Sequence, residues 1–163
     1  MGEFVVEVYP DKAPKTVANF LQYVQDKHYD GTIFHRVINN FMVQGGGYDT
    51  RYMEKTTRTP VRHEGREALE KGGPRNVVGT LAMARTNDPH SATAQFFINV
   101  KDNDFLDYQA PNPQGWGYVA FGKVVNGIEV INRIKLTPTG PGGPFPSDVP
   151  QTQVVIQSAT LLK

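Results

Sequence analysis

Two short stretches place strongly hydrogen-bonding side chains on apolar strands. In the first, strand alternation predicts that Phe34 and Arg36 share one face while His35 takes the other. In the second, the same alternation puts Gln95 and Phe97 on a common face. Phenylalanine taken alone is more often core than pocket. Arginine and glutamine on apolar strands indicate a binding site more strongly, because burying them without partners is costly.

Conventional catalytic motifs are poorly supported. The four histidines show no paired zinc-ligand spacing, and Ser91 lies in no G-x-S-x-G elbow. The segment 117–123 has the spacing G-x-x-x-x-G-K, but valine follows it where a phosphate loop needs Ser or Thr. We interpret Glu64, Glu67 and Glu70 as a solvated face. A hydrolase is therefore the least supported alternative.

Length, charge and cysteine count exclude several classes of protein. The 163 residues suit a single domain spanning 1–163. A net charge of +1 without a basic block disfavours nucleic acid as a partner. Zero cysteines exclude a disulfide framework, a thiolate metal site and a cysteine nucleophile. No apolar run approaches the roughly 18 residues of a membrane span, and residues 1–4 show no signal peptide. We expect a cytoplasmic monomer, or a periplasmic protein if a signal peptide was removed.

Hydrophobic patterning predicts many short strands and two helices. Pro14 begins a helix that runs to about Asp26, and Ile128, Ile131 and Ile134 mark a second, shorter helix. Strands are predicted over 4–9, 33–38, 41–44, 80–83, 95–100, 118–125 and 154–162. This pattern favours a β-barrel or sandwich capped by helices.

The remaining segments are predicted to be irregular. Residues 48–76 show no sustained period, and 137–150 form a loop rich in glycine and proline. The three glycines at 45–47 predict a bulge or sharp bend where another segment approaches the backbone.

Six blocks of the sequence recur, in the same order, in a known family. They are 34–38 (FHRVI), 41–46 (FMVQGG), 83–86 (MART), 91–98 (SATAQFFI), 104–107 (DFLD) and 121–124 (FGKV). Together they resemble the signature of the cyclophilins, the peptidyl-prolyl cis/trans isomerases. The resemblance covers nearly the whole chain and looks closest to the compact single-domain bacterial members.

The resemblance implies a mainly β fold, a closed eight-stranded antiparallel β-barrel capped by two α-helices. It also implies an enzyme that accelerates rotation about X-Pro bonds in unfolded or flexible chains and so assists folding. The family's first strand mostly precedes the equivalent of residues 2–4, so we expect that strand to be shortened or missing. No cofactor and no metal are implied.

The resemblance also assigns the site residues. Arg36 matches the arginine directed at the prolyl nitrogen, and Gln44 matches the residue that bonds a substrate carbonyl; both are expected to be catalytic. Because an arginine side chain does not titrate near neutrality, the rate should be nearly flat from about pH 6 to 8. The residues expected to bind substrate are Phe41, Met42, Ala84, Arg85, Thr86, Gln95, Phe97, Phe105, Leu106 and Tyr118.

Three departures from the family pattern affect the expected partners, which are proline-containing peptides and unfolded proteins. Phe105 stands where many eukaryotic members carry Trp, so we expect weak or no cyclosporin binding. Tyr118 replaces a histidine common at the rim, and Arg85-Thr86 replaces a smaller pair. These changes should alter the preference for residues flanking proline. The alternative function is a proline-peptide binding module or chaperone with little turnover.

Overall fold

The computed structural model describes residues 1–162, most of whose regular structure is antiparallel sheet. The strands are β1 (Val5–Val8), β2 (Thr32–Ile33), β3 (Arg36–Ile38), β4 (Met42–Gly45), β5 (Thr80–Met83), β6 (Phe96–Asn99), β7 (Ala120–Asn126), β8 (Thr139–Gly142), β9 (Phe145–Pro150) and β10 (Val155–Ile156). The helices are α1 (Pro14–Gln25), α2 (Gly65–Glu70) and α3 (Ile128–Lys135), with a 3-10 turn at Asp104–Leu106.

Six of these strands form one sheet in the order β1-β7-β5-β6-β4-β3. The other four form two separate pairs, β10 with β2 and β8 with β9. Strand β9 contacts β3, the edge strand of the sheet, so the β8–β9 hairpin lies beside that edge. Both predicted helices are confirmed as α1 and α3, while the short helix α2 lies in a segment predicted to be irregular.

The two faces of β6 serve different purposes. Phe96 and Ile98 are buried in the main core, whereas Phe97 belongs to a separate cluster with Met42 and Ala82. Side chains alternate along a strand, so one strand can supply the core on one face and a second apolar site on the other. The shared face predicted for Gln95 and Phe97 is consistent with this alternation.

Helix α1 closes the core through its apolar stripe. Proline at its first turn fits the preference for that position, since the missing N–H would have no partner there. Phe20 lies 5.3 Å from the ring of Tyr29, 5.8 Å from Phe96 and 5.0 Å from Phe121, measured between centroids. These contacts attach the helix to β6 and β7.

The N-terminus of α1 is capped from a distant part of the chain. Ala13, at the cap position, has no side chain that could cap the helix. Instead the carboxylate of Glu64 accepts hydrogen bonds from the Thr16 N–H at 2.7 Å, the Thr16 hydroxyl at 2.8 Å and the Lys15 N–H at 3.3 Å. Glu64 is buried, so its assignment to a solvated face is wrong. A carboxylate at a helix N-terminus also interacts favourably with the helix dipole.

The strand predicted over 33–38 is broken in the middle. Its first part, β2, pairs with β10, and its second part, β3, pairs with β4. Phe34 is buried in the main core while Arg36 is exposed, so the prediction that they share a face is wrong. The alternation fails because the two halves pair with different strands.

Two further predictions near the C-terminus are wrong. The segment 137–150 forms the β8–β9 hairpin, in which Thr139 pairs with Pro150 and Gly142 with Phe145. Gly143 turns the chain between the strands with φ +50°. The strand predicted over 154–162 is reduced to the two residues of β10, because its partner β2 has only two residues to offer.

Within residues 1–162, no helix combines the length and apolar character needed to cross a bilayer.

Candidate active site

The β3–β4 hairpin places Arg36 directly opposite Gln44. Arg36 Nη1 donates to Gln44 Oε1 at 3.4 Å, and Gln44 Nε2 donates to Gln95 Oε1 at 3.0 Å. Asn40, with φ +65°, makes the turn between the two strands. The result is a row of three polar side chains along one face, with the guanidinium at its solvent-exposed end.

The bend after β4 allows Gln95 to approach this row. A Cβ on Gly47 would lie 2.5 Å from the Gln95 side chain, closer than any real contact. Gly46 has φ +90°, a conformation that other residues rarely adopt, and a Cβ there would meet the Tyr29 ring at 2.8 Å. The predicted close approach of another segment to residues 45–47 is therefore confirmed.

A second apolar cluster, which we take as the pocket of the site, lies beside the polar row. Its floor is formed by Met42, Ala82 and Phe97, which are buried, and Phe97 is the direct partner of Gln44 across the β4–β6 ladder. Partly buried residues pack around the floor; they are Ile38, Phe41, Ala84, Leu106 and Tyr118. The Tyr118 ring meets Phe97 edge-on, with centroids 5.5 Å apart. The residues of this cluster are all hydrophobic, and the polar side chains of Arg36 and Gln44 lie on the neighbouring strands.

Phe105 lies at the outer edge of the site. Its ring stacks on Phe41 with centroids 6.0 Å apart and an interplanar angle of 19°. Its side chain is 64% exposed, so it contributes an apolar surface outside the pocket.

The opposite rim carries Arg85 and Thr86. The Arg85 guanidinium lies over the Tyr118 ring, 4.6 Å from its centroid, and donates to the Gly117 carbonyl from Nη2 at 2.8 Å and from Nε at 3.0 Å. The Thr86 N–H and hydroxyl both bond Ser91 Oγ, at 2.9 and 2.8 Å. Ala84 N–H donates to the Gln95 carbonyl at 3.0 Å, which ties this rim to the polar row.

Two of the three buried histidines, His63 and His35, lie near the site. His63 Nε2 donates to the Gly117 carbonyl at 2.9 Å, and His63 Nδ1 accepts from the Gly65 N–H at 3.0 Å. Burial lowers the pKa of His63, which favours the neutral ring whose Nδ1 accepts this bond. Burial, with the charge of Arg36 as a smaller cause, lowers the pKa of His35 to about 4.

The described part of the chain holds no group of three or more histidine, aspartate or glutamate side chains that could ligate a metal ion. What the site offers is a planar cation beside an apolar pocket, with amide groups between them. Such a site suits a ligand that combines a hydrocarbon ring with a carbonyl or a weakly basic nitrogen.

The sequence matches the model of one protein family over nearly its whole length. The family model described as "Cyclophilin type peptidyl-prolyl cis-trans isomerase/CLD" matches residues 1–161. The chain belongs to the cyclophilin family. It is a cyclophilin-type peptidyl-prolyl cis-trans isomerase, as the resemblance implied.

Two relatives of this cyclophilin are bacterial peptidyl-prolyl cis-trans isomerases of similar length. It is 50% identical over 160 residues to peptidyl-prolyl cis-trans isomerase B of Escherichia coli strain K12, with 98% of this chain and 94% of the relative covered. It is 53% identical over 161 residues to peptidyl-prolyl cis-trans isomerase cyp18 of Streptomyces antibioticus, with 99% and 93% covered.

The fold is also that of solved cyclophilins. A cyclophilin-type isomerase of Cryptosporidium parvum, crystallised in the presence of the dipeptide Ala-Pro, matches with a TM-score of 0.74 and 24% identity, covering 99% of this chain and 94% of that one. The cyclophilin fold that the sequence predicted is therefore confirmed.

The structure brings the residues singled out in this cyclophilin sequence to one face of the main sheet. Arg36 and Gln44 lie on neighbouring strands, and eight of the other ten surround or adjoin the pocket: Phe41, Met42, Ala84, Arg85, Gln95, Phe97, Leu106 and Tyr118. Phe105 and Thr86 lie farther out, exposed to solvent. Sequence reasoning missed Ala82, which sits at the pocket floor. Its small size and place in an apolar strand gave no signal.

Proposed function

We propose that this cyclophilin holds the proline ring of an X-Pro segment in the pocket over Phe97 and lowers the barrier to rotation with Arg36. The observation that carries the proposal is the Arg36–Gln44–Gln95 row along one edge of an apolar pocket. A ring fits the apolar floor formed by Met42 and Phe97, and the amide next to the ring then lies within reach of the row.

The chemistry requires no proton transfer from a protein acid. The barrier to rotation about a peptide bond, about 18–20 kcal/mol, arises because the nitrogen lone pair is delocalised into the carbonyl. As the amide twists, the lone pair localises on the prolyl nitrogen, which then accepts a hydrogen bond from the Arg36 guanidinium. An interaction formed only in the twisted state lowers the barrier instead of tightening ground-state binding.

Gln44 holds the part of the substrate that must not turn. A side-chain amide has two protons, and one of those on Gln44 Nε2 is used by Gln95. The second is free to donate to a substrate carbonyl. Because Gln44 Oε1 accepts from Arg36, its amide has one orientation, and the proton is directed outward before substrate arrives.

Proline-containing peptides are the substrate class that this arrangement supports. The Cryptosporidium parvum cyclophilin was crystallised in the presence of the dipeptide Ala-Pro, which supports a proline-containing ligand for this site. The rim formed by Arg85 and Thr86 lies beyond the pocket and meets residues flanking proline. We propose that it favours carbonyl-rich or acidic segments there, because Arg85 is a fixed cation.

Cyclosporin binds weakly in this proposal. Phe105 lacks the N–H that an indole offers at the same position, and its ring is committed to stacking on Phe41. Isothermal titration calorimetry with cyclosporin tests this. We expect a dissociation constant in the micromolar range or higher.

The proposal is tested by NMR exchange spectroscopy on an Ala-Pro peptide. Wild type should accelerate exchange between the cis and trans forms, and Arg36→Ala should lose at least about tenfold, roughly 1.4 kcal/mol of barrier. Arg51→Ala removes an exposed arginine away from the row and serves as the matched control. If wild type binds the peptide without accelerating exchange, the protein is a binding module and the proposal is wrong.

A further inference from the structure

Behind the pocket lies a buried group of polar side chains that the mechanism does not use. Asn76, Asn99 and Asn103, here called the asparagine cluster, are 1%, 0% and 2% exposed. Burying an amide without hydrogen-bond partners costs about 1–3 kcal/mol. Three buried amides in contact are therefore expected to have hydrogen-bond partners for all their polar atoms, unless function requires otherwise.

Pairing within the cluster is complete at its centre. Asn99 Nδ2 donates to Asn76 Oδ1 and to Thr80 Oγ1, both at 3.0 Å. Asn99 Oδ1 accepts from Asn103 Nδ2 at 2.9 Å. Reversing the Asn99 amide would break all three bonds, so the orientation of the cluster is unique.

The outer bonds of the cluster lead to the pocket walls. The second proton of Asn103 Nδ2 goes to the Phe41 carbonyl at 2.9 Å. Asn76 Nδ2 donates to the Tyr118 carbonyl at 3.1 Å and to Asp107 Oδ1 at 3.0 Å. All six amide protons of the three asparagines are therefore bonded.

The third wall is fixed by the same cluster through the backbone. Leu106 lies in the 3-10 turn between Asn103 and Asp107, and its N–H donates to the Asn103 carbonyl at 2.9 Å. The Leu106 carbonyl in turn accepts from the Tyr118 N–H at 2.8 Å. Phe41, Leu106 and Tyr118 come from separate parts of the chain, yet each has a backbone group tied to the cluster or to a residue next to it.

We propose that the asparagine cluster is a positioning network that sets the width of the pocket and thereby the ring size that the enzyme accepts. None of its side chains is needed to touch substrate. Asn103 is the member chosen for the test, since its one amide group links the backbone carbonyl of Phe41 to Asn99 and so to the rest of the cluster. This inference rests on the proposed function, because it assumes that a proline ring occupies the pocket.

The test compares peptides that differ by one methylene in the ring. For wild type, kcat/KM should be at least about tenfold higher for an Ala-Pro peptide than for the same peptide with six-membered pipecolic acid in place of proline. The reason is that one extra methylene in a fitted pocket is worth about 10-fold or more. Asn103→Ala should reduce that ratio by about fivefold, chiefly by lowering the value for proline. Asn132→Ala, which removes an exposed asparagine on α3, should leave the ratio unchanged.

A ratio of two substrates measured on one enzyme preparation does not depend on the fraction that is folded. If Asn103→Ala lowers both kcat/KM values equally, the cluster serves stability alone and the inference is overturned. Asn103→Ser, which keeps a short polar group, is the second variant; it should give an intermediate ratio. Failure of both variants to fold would likewise assign the cluster to stability and contradict the inference. Failure of wild type to isomerise the Ala-Pro peptide would instead contradict the proposed function.

Discussion

Gln95 accepts a hydrogen bond from Gln44 Nε2 at 3.0 Å, while the backbone at Gly47 lies directly against the Gln95 side chain. Gln95 thus stands between the bend after β4 and the polar row. The bond from Gln44 Nε2 to Gln95 fixes the orientation of the Gln44 amide. Gln44 Oε1 is thereby turned toward Arg36, from which it accepts a hydrogen bond.

Replacing Gln95 by leucine should lower activity without removing any group that touches the reacting amide. Gln95→Leu keeps the volume but leaves the Gln44 amide without its partner, so Gln44 can rotate. We expect kcat/KM for an Ala-Pro peptide to fall about fivefold, the equivalent of one hydrogen bond. The matched control is Gln157→Leu, at an exposed position. An unchanged kcat/KM in Gln95→Leu would show that the orientation of Gln44 does not matter.

The neighbouring glycines should respond differently to alanine. Gly46→Ala forces a side chain into φ +90° and against the Tyr29 ring, so urea denaturation should show a loss of about 1–3 kcal/mol. Gly47→Ala displaces the Gln95 side chain, which can move, so isomerisation should decline more than stability does. Gly31 has φ +80° and open space around it, so the loss of stability in Gly31→Ala measures the backbone strain without any steric clash. Equal effects of the Gly46 and Gly47 substitutions on stability would argue against this distinction.

The stability of the protein should fall as the pH is lowered through the range from 6.5 to 4. His35 is buried against Tyr48 and Phe145, and its pKa is lowered to about 4 in the folded state. Between the two pKa values the unfolded chain binds a proton that the native state does not, so the stabilisation is fully present above pH 6.5. The loss by pH 4 is on the order of 3 kcal/mol.

Urea denaturation across that pH range measures this loss. His35→Phe retains an aromatic ring between Tyr48 and Phe145 and should flatten the pH dependence. His28 and His63 also have lowered pKa values and contribute in the same direction, so part of the slope should remain in the variant. Identical pH profiles for wild type and His35→Phe would contradict the assignment.

Removal of the remote cap on α1 should destabilise the protein. Glu64→Ala leaves the Thr16 N–H and hydroxyl buried without an acceptor, and we expect a loss of about 2 kcal/mol in urea denaturation. Glu70→Ala, which removes only an exposed pair with Arg66, should cost less than about 0.5 kcal/mol. Equal losses in the two variants would mean that Glu64 does not cap the helix.

The local sequence predicted those features that depend on near neighbours. The helix that begins at Pro14 and the break between the strands predicted over 33–38 and 41–44 follow from residue types within a few positions, and the structure has both in place. Arg36 and Gln44 could be placed together because a tight turn separates their strands. The cyclophilin signature added the role of each.

Features that depend on distant pairing could not be predicted in this way. The break at Phe34 follows from the pairing of β2 with β10, more than a hundred positions away in the chain. The β8–β9 hairpin is rich in glycine and proline, whose propensities indicate a loop, and only its cross-strand bonds make it a sheet. Glu64 looked solvated because its partner, Thr16, is remote. The compartment, the monomeric state and the single-domain organisation stay predictions.

The central claim is that Arg36 acts on the twisted amide and contributes little to binding the planar one. The most direct measurement is the rate of cis–trans exchange inside the enzyme–peptide complex, obtained by NMR at saturating Ala-Pro peptide, together with the dissociation constant. Arg36→Ala should keep the dissociation constant within about threefold of wild type and lose at least about tenfold in the bound-state rate. Arg36→Lys, which keeps the charge without the planar group, should fall between them. A variant that binds more weakly but exchanges at the wild-type rate once bound would contradict the account.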